Sequence, residues 1–173
     1  MLPKLVLTDI DGVWTDGGMY YDENGNEFKK FNTYDSAGIL FCKLLKIPTG
    51  IITGESVSSV KRRAEKLNVE YLYLGAKDKV GIVKKLCEEL KIELDEVAYI
   101  GDDINDYDLL QEINLNACPN SAPDYIKSVV NWVMTKKGGE GAFREFVEKI
   151  LEENNIDIPQ LLKQHNIIGK FNQ

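Results

Sequence analysis

The stretch "LVLTDIDGVWTDG", residues 5–17, passes from an apolar run, Leu5-Val6-Leu7, straight into three carboxylates within eight residues, at Asp9, Asp11 and Asp16. A run without polar alternation reads as a strand buried on both faces, the kind found in parallel sheets. The stretch "VAYIGDD", residues 97–103, repeats the pattern, and Asn105, Asp106 and Asp108 follow it. Two apolar strands therefore end in acid.

Working outward, short β-branched runs alternate with segments of helical period. Strands are expected at Lys4–Asp9, Thr49–Thr53, Tyr71–Leu74, Val97–Gly101, Leu115–Ala117 and Asn131–Met134. Between them Val57, Val60, Ala64 and Leu67 share one helix face, and Ile82, Val83, Leu86 and Leu90 another; Phe143, Phe146, Val147, Ile150 and Leu151 make a third. The fold class is α/β: a Rossmann-like three-layer sandwich with a central parallel sheet. One segment breaks the alternation. In "GGMYYDENGNEFKKF", Asn24-Gly25 between two aromatic-containing runs marks a β-hairpin flap soon after the first strand. Residues 1–153 read as one domain and 154–173 as a C-terminal tail with a short helix at most and Gly169 near its end.

A chain of 173 residues can bury a core without disulfides or structural metal. Its net charge of −7 argues against nucleic acid or an anionic membrane as partner and leaves small anions that need a cation or local donors. Cys42, Cys87 and Cys118 are odd in number and set among apolar neighbours, so they read as reduced core residues. No apolar run approaches the roughly 18 residues of a membrane span, and the first residues lack the layout of a signal peptide, so a cytoplasmic location is expected.

Ligands of open parallel sheets bind beyond the carboxyl ends of the strands, where both acidic stretches lie. Clustered carboxylates repel one another unless they share protons or bind a cation, and hard oxygen donors with no nearby His or Cys favour Mg²⁺. Thr53-Gly54 supplies a hydroxyl and a tight turn, and Lys79 in "AKDKVGIVKKL" a positive charge. Together these groups provide what a bound phosphate requires.

Asp9-x-Asp11-Gly12-x-x-Thr15, Thr53-Gly54, Lys79 and Gly101-Asp102-Asp103-x-x-Asp106 resemble, in order, the four motifs of the haloacid dehalogenase superfamily of phosphatases. The resemblance implies that Asp9 attacks phosphorus and that Asp11 moves the proton. It implies Mg²⁺ held by Asp102, one oxygen of Asp9 and the backbone carbonyl of Asp11. Thr53, Gly54 and Lys79 would hold the phosphoryl oxygens, with Asp103 and Asp106 orienting Lys79 and the metal's waters.

The gaps between the motifs are too short for a cap domain, so another subunit is expected to close the site, with the hairpin and tail as candidate contacts. "TDIDGVWTDG", the hairpin, "TGE" and "GGEGAFRE" resemble a capless branch of homotetrameric phosphatases acting on 3-deoxy-2-ulosonic acid phosphates. Octulosonate 8-phosphate enzymes, of lipopolysaccharide synthesis, have "TGR" where this chain has Glu55. That departure resembles the nonulosonate branch, so the resemblance puts 2-keto-3-deoxynononate 9-phosphate, or a sialic-acid-type 9-phosphate, first and octulosonate 8-phosphate second. It also makes Glu55, Arg63 and Lys66 the residues that read the sugar acid.

Simpler readings compete. A calcium loop from Asp9 needs Glu at its twelfth position and meets Tyr20. Asp108 reads as a helix N-terminal charge. Receiver-type signalling domains also combine aspartates, Thr and Lys on a parallel sheet, but lack the acid two residues after the phosphorylated one. Trp14 is left open between core and hairpin, and His165 carries no role.

Overall fold

The computed structural model describes residues 1–167. In chain order its elements are β1 (Leu5–Thr8), β2 (Tyr20–Tyr21), β3 (Glu27–Phe28), α1 (Asp35–Leu44), β4 (Thr49–Thr53), α2 (Ser58–Leu67), β5 (Tyr71–Leu74) and α3 (Lys79–Leu90). There follow β6 (Val97–Ile100), α4 (Tyr107–Glu112), β7 (Leu115–Cys118), α5 (Asp124–Lys127), β8 (Trp132–Val133), α6 (Ala142–Glu153) and α7 (Ile158–Gln164). Six strands form one parallel sheet in the order β5-β4-β1-β6-β7-β8. The direction of winding reverses at β1, which therefore lies beside the crevice such sheets use for ligands. Thr8 pairs with Ile51 and Ile100, so β1 and β6 end level with one another and β4 runs two residues further, to Thr53.

Successive strand residues enter opposite layers, as the pleat requires. Val6, Ile51, Ala98, Ile100 and Ala117 face a layer shared with Phe143, Phe146 and Ile150 of α6 and Ile39 of α1. Leu5, Leu7, Ile52, Val97 and Tyr99 face Val83 and Leu86 of α3 and Leu109 and Leu110 of α4. Each buried aliphatic side chain contributes about 2 kcal/mol by leaving water. The strand ends are thereby held on a rigid floor.

Three expectations need adjustment. The hairpin forms, with Tyr20 opposite Phe28 and Tyr21 opposite Glu27, but its loop is residues 22–26 rather than Asn24-Gly25 alone. Asp22 organises that loop by accepting from Asn24 N and Asn26 N, while Gly25 takes φ +80°. The sixth strand shrinks to Trp132–Val133 at the sheet edge. The tail also contributes to the core. Asp157 caps α7 by accepting from Gln160 N, and Ile156, Ile158 and Leu162 pack on the α1/α6 layer of their own chain. Gly169 lies outside the described residues.

The segment before α6 folds back onto the loop after β1. Gly139 N donates to Val13 O at 3.0 Å, and a Cβ on Gly138 would fall 1.8 Å from Gly12 O, so only glycine fits there. Trp14 belongs to the core: its ring stacks on Phe143 at 4.8 Å and its Nε1 donates to Thr8 Oγ1 at 3.0 Å. α6 begins at Gly141 without a capping side chain of its own, and Asp35 of α1 serves instead, accepting from Arg144 N at 3.1 Å. His165 is exposed at the end of α7.

Candidate active site

Asp9 is the first residue beyond β1 and is buried, its N–H donating to Ile100 O at 3.0 Å. Lys79, the first residue of α3, is buried beside it, with Nζ 3.2 Å from Asp9 Oδ1 and 2.6 Å from Asp106 Oδ1. The Tyr99 hydroxyl, reaching up from β6, also donates to Asp106 Oδ1. The other oxygen of Asp106 accepts from Asp102 N at 2.8 Å and Asp103 N at 3.2 Å. Gly101 is required here, because a Cβ would lie 2.4 Å from Asp106 Cγ. Burial alone lowers the Lys79 pKa, but Asp9 and Asp106 outweigh it and the net shift is upward. Lys79 stays charged.

Carboxylate oxygens of Asp9, Asp102 and Asp106 converge within 4.8 Å, which makes these three the candidate metal ligands among the described residues. Hydrogen bonding separates them. Asp106 has two donors on each oxygen and nothing left to offer a cation. Asp102 Oδ1 is buried with no hydrogen bond, and Asp9 Oδ1 has no partner beyond the Lys79 ammonium at 3.2 Å. Unsatisfied buried carboxylate oxygens are costly, so this pair fits a hard divalent cation and Asp106 fits the lysine. Burial, reinforced by Asp106, pushes Asp9 up to about 7. Burial, with Asp9 and Asp106, pushes Asp102 up to about 8. A bound cation would favour the ionised forms and oppose both shifts.

Asp11 stands on the opposite side of the loop. The turn is tight: Val13 N, Trp14 N and Thr15 N all donate to Ile10 O. Thr15 Oγ1 donates to Asp11 Oδ1 at 3.3 Å, and Lys29 Nζ of the hairpin reaches the same oxygen at 2.7 Å. Asp16 instead ties the base of the hairpin, accepting from Gly18 N and from the Tyr20 hydroxyl. Thr53 is buried at the end of β4, and its turn is pinned by Ala76 N donating to Thr53 O and Gly75 N to Glu55 O. Asp9, Asp11, Met19, Thr53, Gly54, Glu55 and Asn105 line one cleft.

Of the residues expected from sequence, Asp9, Asp11, Thr53, Gly54, Glu55, Lys79, Asp102 and Asp106 meet at or beneath this cleft. Three do not behave as expected. The Asp103 carboxylate turns outward, accepting from Ile104 N at 2.7 Å and the Tyr125 hydroxyl at 2.8 Å, so it caps a turn rather than orienting Lys79. Arg63 bonds inside the fold: its Nη2 donates to Asn32 O and Ser36 Oγ, its guanidinium lies near the rings of Trp14 and Phe31, and its Nε has no partner among the described residues. Lys66 is exposed in the last turn of α2, eight residues and so about 12 Å of helix from Ser58. Sequence reasoning missed Lys29, Tyr99 and Asn105. Tyr99 carried a signal, a hydroxyl on a strand otherwise wholly apolar, whereas Lys29 looked like any hairpin lysine.

The family pattern of haloacid dehalogenase-like hydrolases matches residues 72–146. The 3-deoxy-D-manno-octulosonate 8-phosphate phosphatase KdsC of Haemophilus influenzae is 34% identical over 149 residues, covering 86% of this chain and 83% of that protein. The Escherichia coli K12 KdsC is 34% identical over 148 residues, 86% of this chain and 79% of that one. Among solved structures, a 3-deoxy-D-manno-octulosonate 8-phosphate phosphatase from Moraxella catarrhalis in complex with magnesium, phosphate and KDO superposes with TM-score 0.86 at 36% identity, covering 90% of each chain. A probable YrbI family phosphatase from Pseudomonas syringae pv. phaseolica gives TM-score 0.89 at 36% identity, covering 94% of this chain and 92% of that one.

Proposed function

Since the chain belongs to the haloacid dehalogenase-like hydrolases, and within them to the sugar acid phosphate phosphatases, we propose that it hydrolyses 3-deoxy-D-manno-octulosonate 8-phosphate through an aspartyl-phosphate on Asp9. The observation that carries the chemistry is the placing of two carboxylates two residues apart in different surroundings. Asp9 lies on the floor beside Lys79, and Asp11 on the wall beside Lys29.

In the first step an Asp9 oxygen forms a bond to phosphorus while the bond from phosphorus to the sugar oxygen breaks, and Asp11 gives that oxygen its proton. In the second, Asp11 takes a proton from water, the water oxygen bonds to phosphorus, and the Asp9–phosphorus bond breaks. Thr53, the Gly54 backbone and Lys79 hold the phosphoryl oxygens throughout. Asp106 and Tyr99 keep Lys79 aimed at them. Asp9, Asp102 and the Asp11 backbone carbonyl would hold Mg²⁺, which supplies charge neutralisation for the phosphoryl group. The Moraxella protein, bound to magnesium and phosphate, supports this choice of ion.

The relatives favour the octulosonate ester over the nonulosonate ester that the sequence alone put first. Glu55 is the observation that keeps the second reading alive. It stands exposed on the cleft lining where octulosonate enzymes typically have Arg, and a carboxylate there accepts from substrate hydroxyl or amine groups. Arg63 donates within its own fold, and Lys66 would serve from a neighbouring copy. Such a copy is part of the proposal. Met19, Tyr20, Tyr21 and Phe28 leave an apolar hairpin exposed beside an uncapped site, as a homotetramer closing its own clefts would require. Phosphate release from the two esters with Mg²⁺, together with a solution mass, tests both parts. Preference for the nonulosonate ester would reverse the substrate assignment, and a monomeric mass would remove the tetramer.

A further inference from the structure

We infer that Lys29, carried on the hairpin, is a positioning residue that fixes the orientation of the Asp11 carboxylate; the inference rests on the role proposed above for Asp11. Lys29 and Lys30 are neighbours with opposite fates. The Lys30 side chain is 72% exposed and reaches Asp16 only at 3.4 Å, as an ordinary surface lysine does. The Lys29 side chain is 1% exposed, its ammonium 2.7 Å from Asp11 Oδ1 and 3.1 Å from Glu27 Oε1. Ordering and burying a lysine costs rotamer freedom as well as desolvation. Two carboxylates offset that cost, and one of them is the acid of the reaction.

The geometry around Asp11 is one-sided. Lys29 and Thr15 both donate to Oδ1, while Oδ2 is buried without a partner among the described residues. Both held contacts thus fall on one oxygen, and the carboxylate is gripped jointly by the hairpin and by Thr15. The same two bonds lock the rotation of the carboxylate, and a general acid must sit within hydrogen-bond reach of its target. Thr15 belongs to the catalytic loop, but Lys29 belongs to a two-stranded flap. The aim of the acid is thus tied to the seating of the hairpin.

The test separates proton delivery from everything else by the choice of leaving group. An alkyl phosphate such as the sugar acid ester needs a proton on its departing oxygen; p-nitrophenyl phosphate, whose phenolate leaves unaided, does not. Lys29→Met should lower kcat/KM about 10- to 100-fold on the alkyl ester, the scale of a misaimed group, and less than threefold on the aryl ester. Lys29→Arg should recover most of the loss, and Mg²⁺ affinity by calorimetry should be unchanged in both. Equal losses on the two esters, no loss on either, or a weakened Mg²⁺ affinity overturn the inference. If Lys29→Met melts near the assay temperature, Lys29→Gln carries the same comparison. A wild-type enzyme inactive on both esters would instead defeat the phosphatase reading, so the two failures are distinct.

Discussion

Two buried lysines in this molecule each bridge a pair of carboxylates. Lys79 sits between Asp9 and Asp106, at the start of a twelve-residue helix capped by Asp78 and packed on the sheet. Lys29 sits between Asp11 and Glu27, on a hairpin with two residue pairs in its ladder. The charge arrangement is the same and the support is not. A two-stranded hairpin is marginal by itself, whereas the strand ends inherit the rigidity of the core. The floor of the site is fixed by folding, and its wall is fixed only as firmly as the hairpin is held.

The nucleophile and the acid give the sharpest contrast. Asp9→Asn should reduce phosphate release by on the order of 10⁴–10⁶, the scale of losing a nucleophile, while Asp11→Asn should cost about 10²–10⁴. Comparable losses from steady-state kinetics would erase the distinction between floor and wall.

Stability should divide in the same way. Lys79→Met leaves buried Asp9 and Asp106 facing each other and should cost about 3–5 kcal/mol in metal-free denaturant unfolding at pH 8. Lys29→Met strands Asp11 and Glu27, whose side chains are 28% and 20% exposed, and should cost clearly less. The reverse order would mean that the hairpin, not the sheet, anchors the site.

Asp35 lies outside both lysine pairs and tests the segment that backs the floor. Burial raises its carboxyl to about 6, against 3.8 when exposed. The folded state then binds more protons at this site than the unfolded one across this interval, so the contribution of Asp35 to stability is greatest below about pH 4 and falls as pH rises through about 6. Asp35→Asn keeps an acceptor for Arg144 N and removes the charge. It should flatten that decline and gain about 2 kcal/mol at pH 7, or several degrees of melting temperature. A parallel pH dependence in wild type and variant would refute this.

The smallest effect is expected at the rim. Glu55→Arg should raise the preference for the octulosonate over the nonulosonate ester about tenfold in kcat/KM, within the 1–3 kcal/mol that a single pocket contact supplies. An unchanged ratio would show that Glu55 does not read the sugar.

The floor was legible in the sequence because strand ends are local features. Leu5-Val6-Leu7 running into Asp9, and Val97-Ala98-Tyr99-Ile100 into Asp102, announce both the strand and where its acid must point. The wall was not, because its contacts join residues whose spacing carries no periodic signal. Nothing in "EFKKF" distinguishes the lysine that is buried from the one that is exposed. Arg63 misled for a related reason: an arginine on a charged helix gives no sign that Asn32, Ser36 and the Trp14 ring wait for it across the fold. The long-range closure by Gly138-Gly139 was visible as glycines but not as a destination.

That closure bears on the order in which the enzyme is made. Gly12 is clamped from both sides: a Cβ there would fall 1.8 Å from Asp102 Oδ2, and its carbonyl is where a Cβ on Gly138 would fall. Every residue assigned a chemical step has left the ribosome long before Gly138 does. A nascent chain therefore holds its reactive groups without the backing that fixes their loop until Gly138 and Gly139 have emerged and folded back onto it.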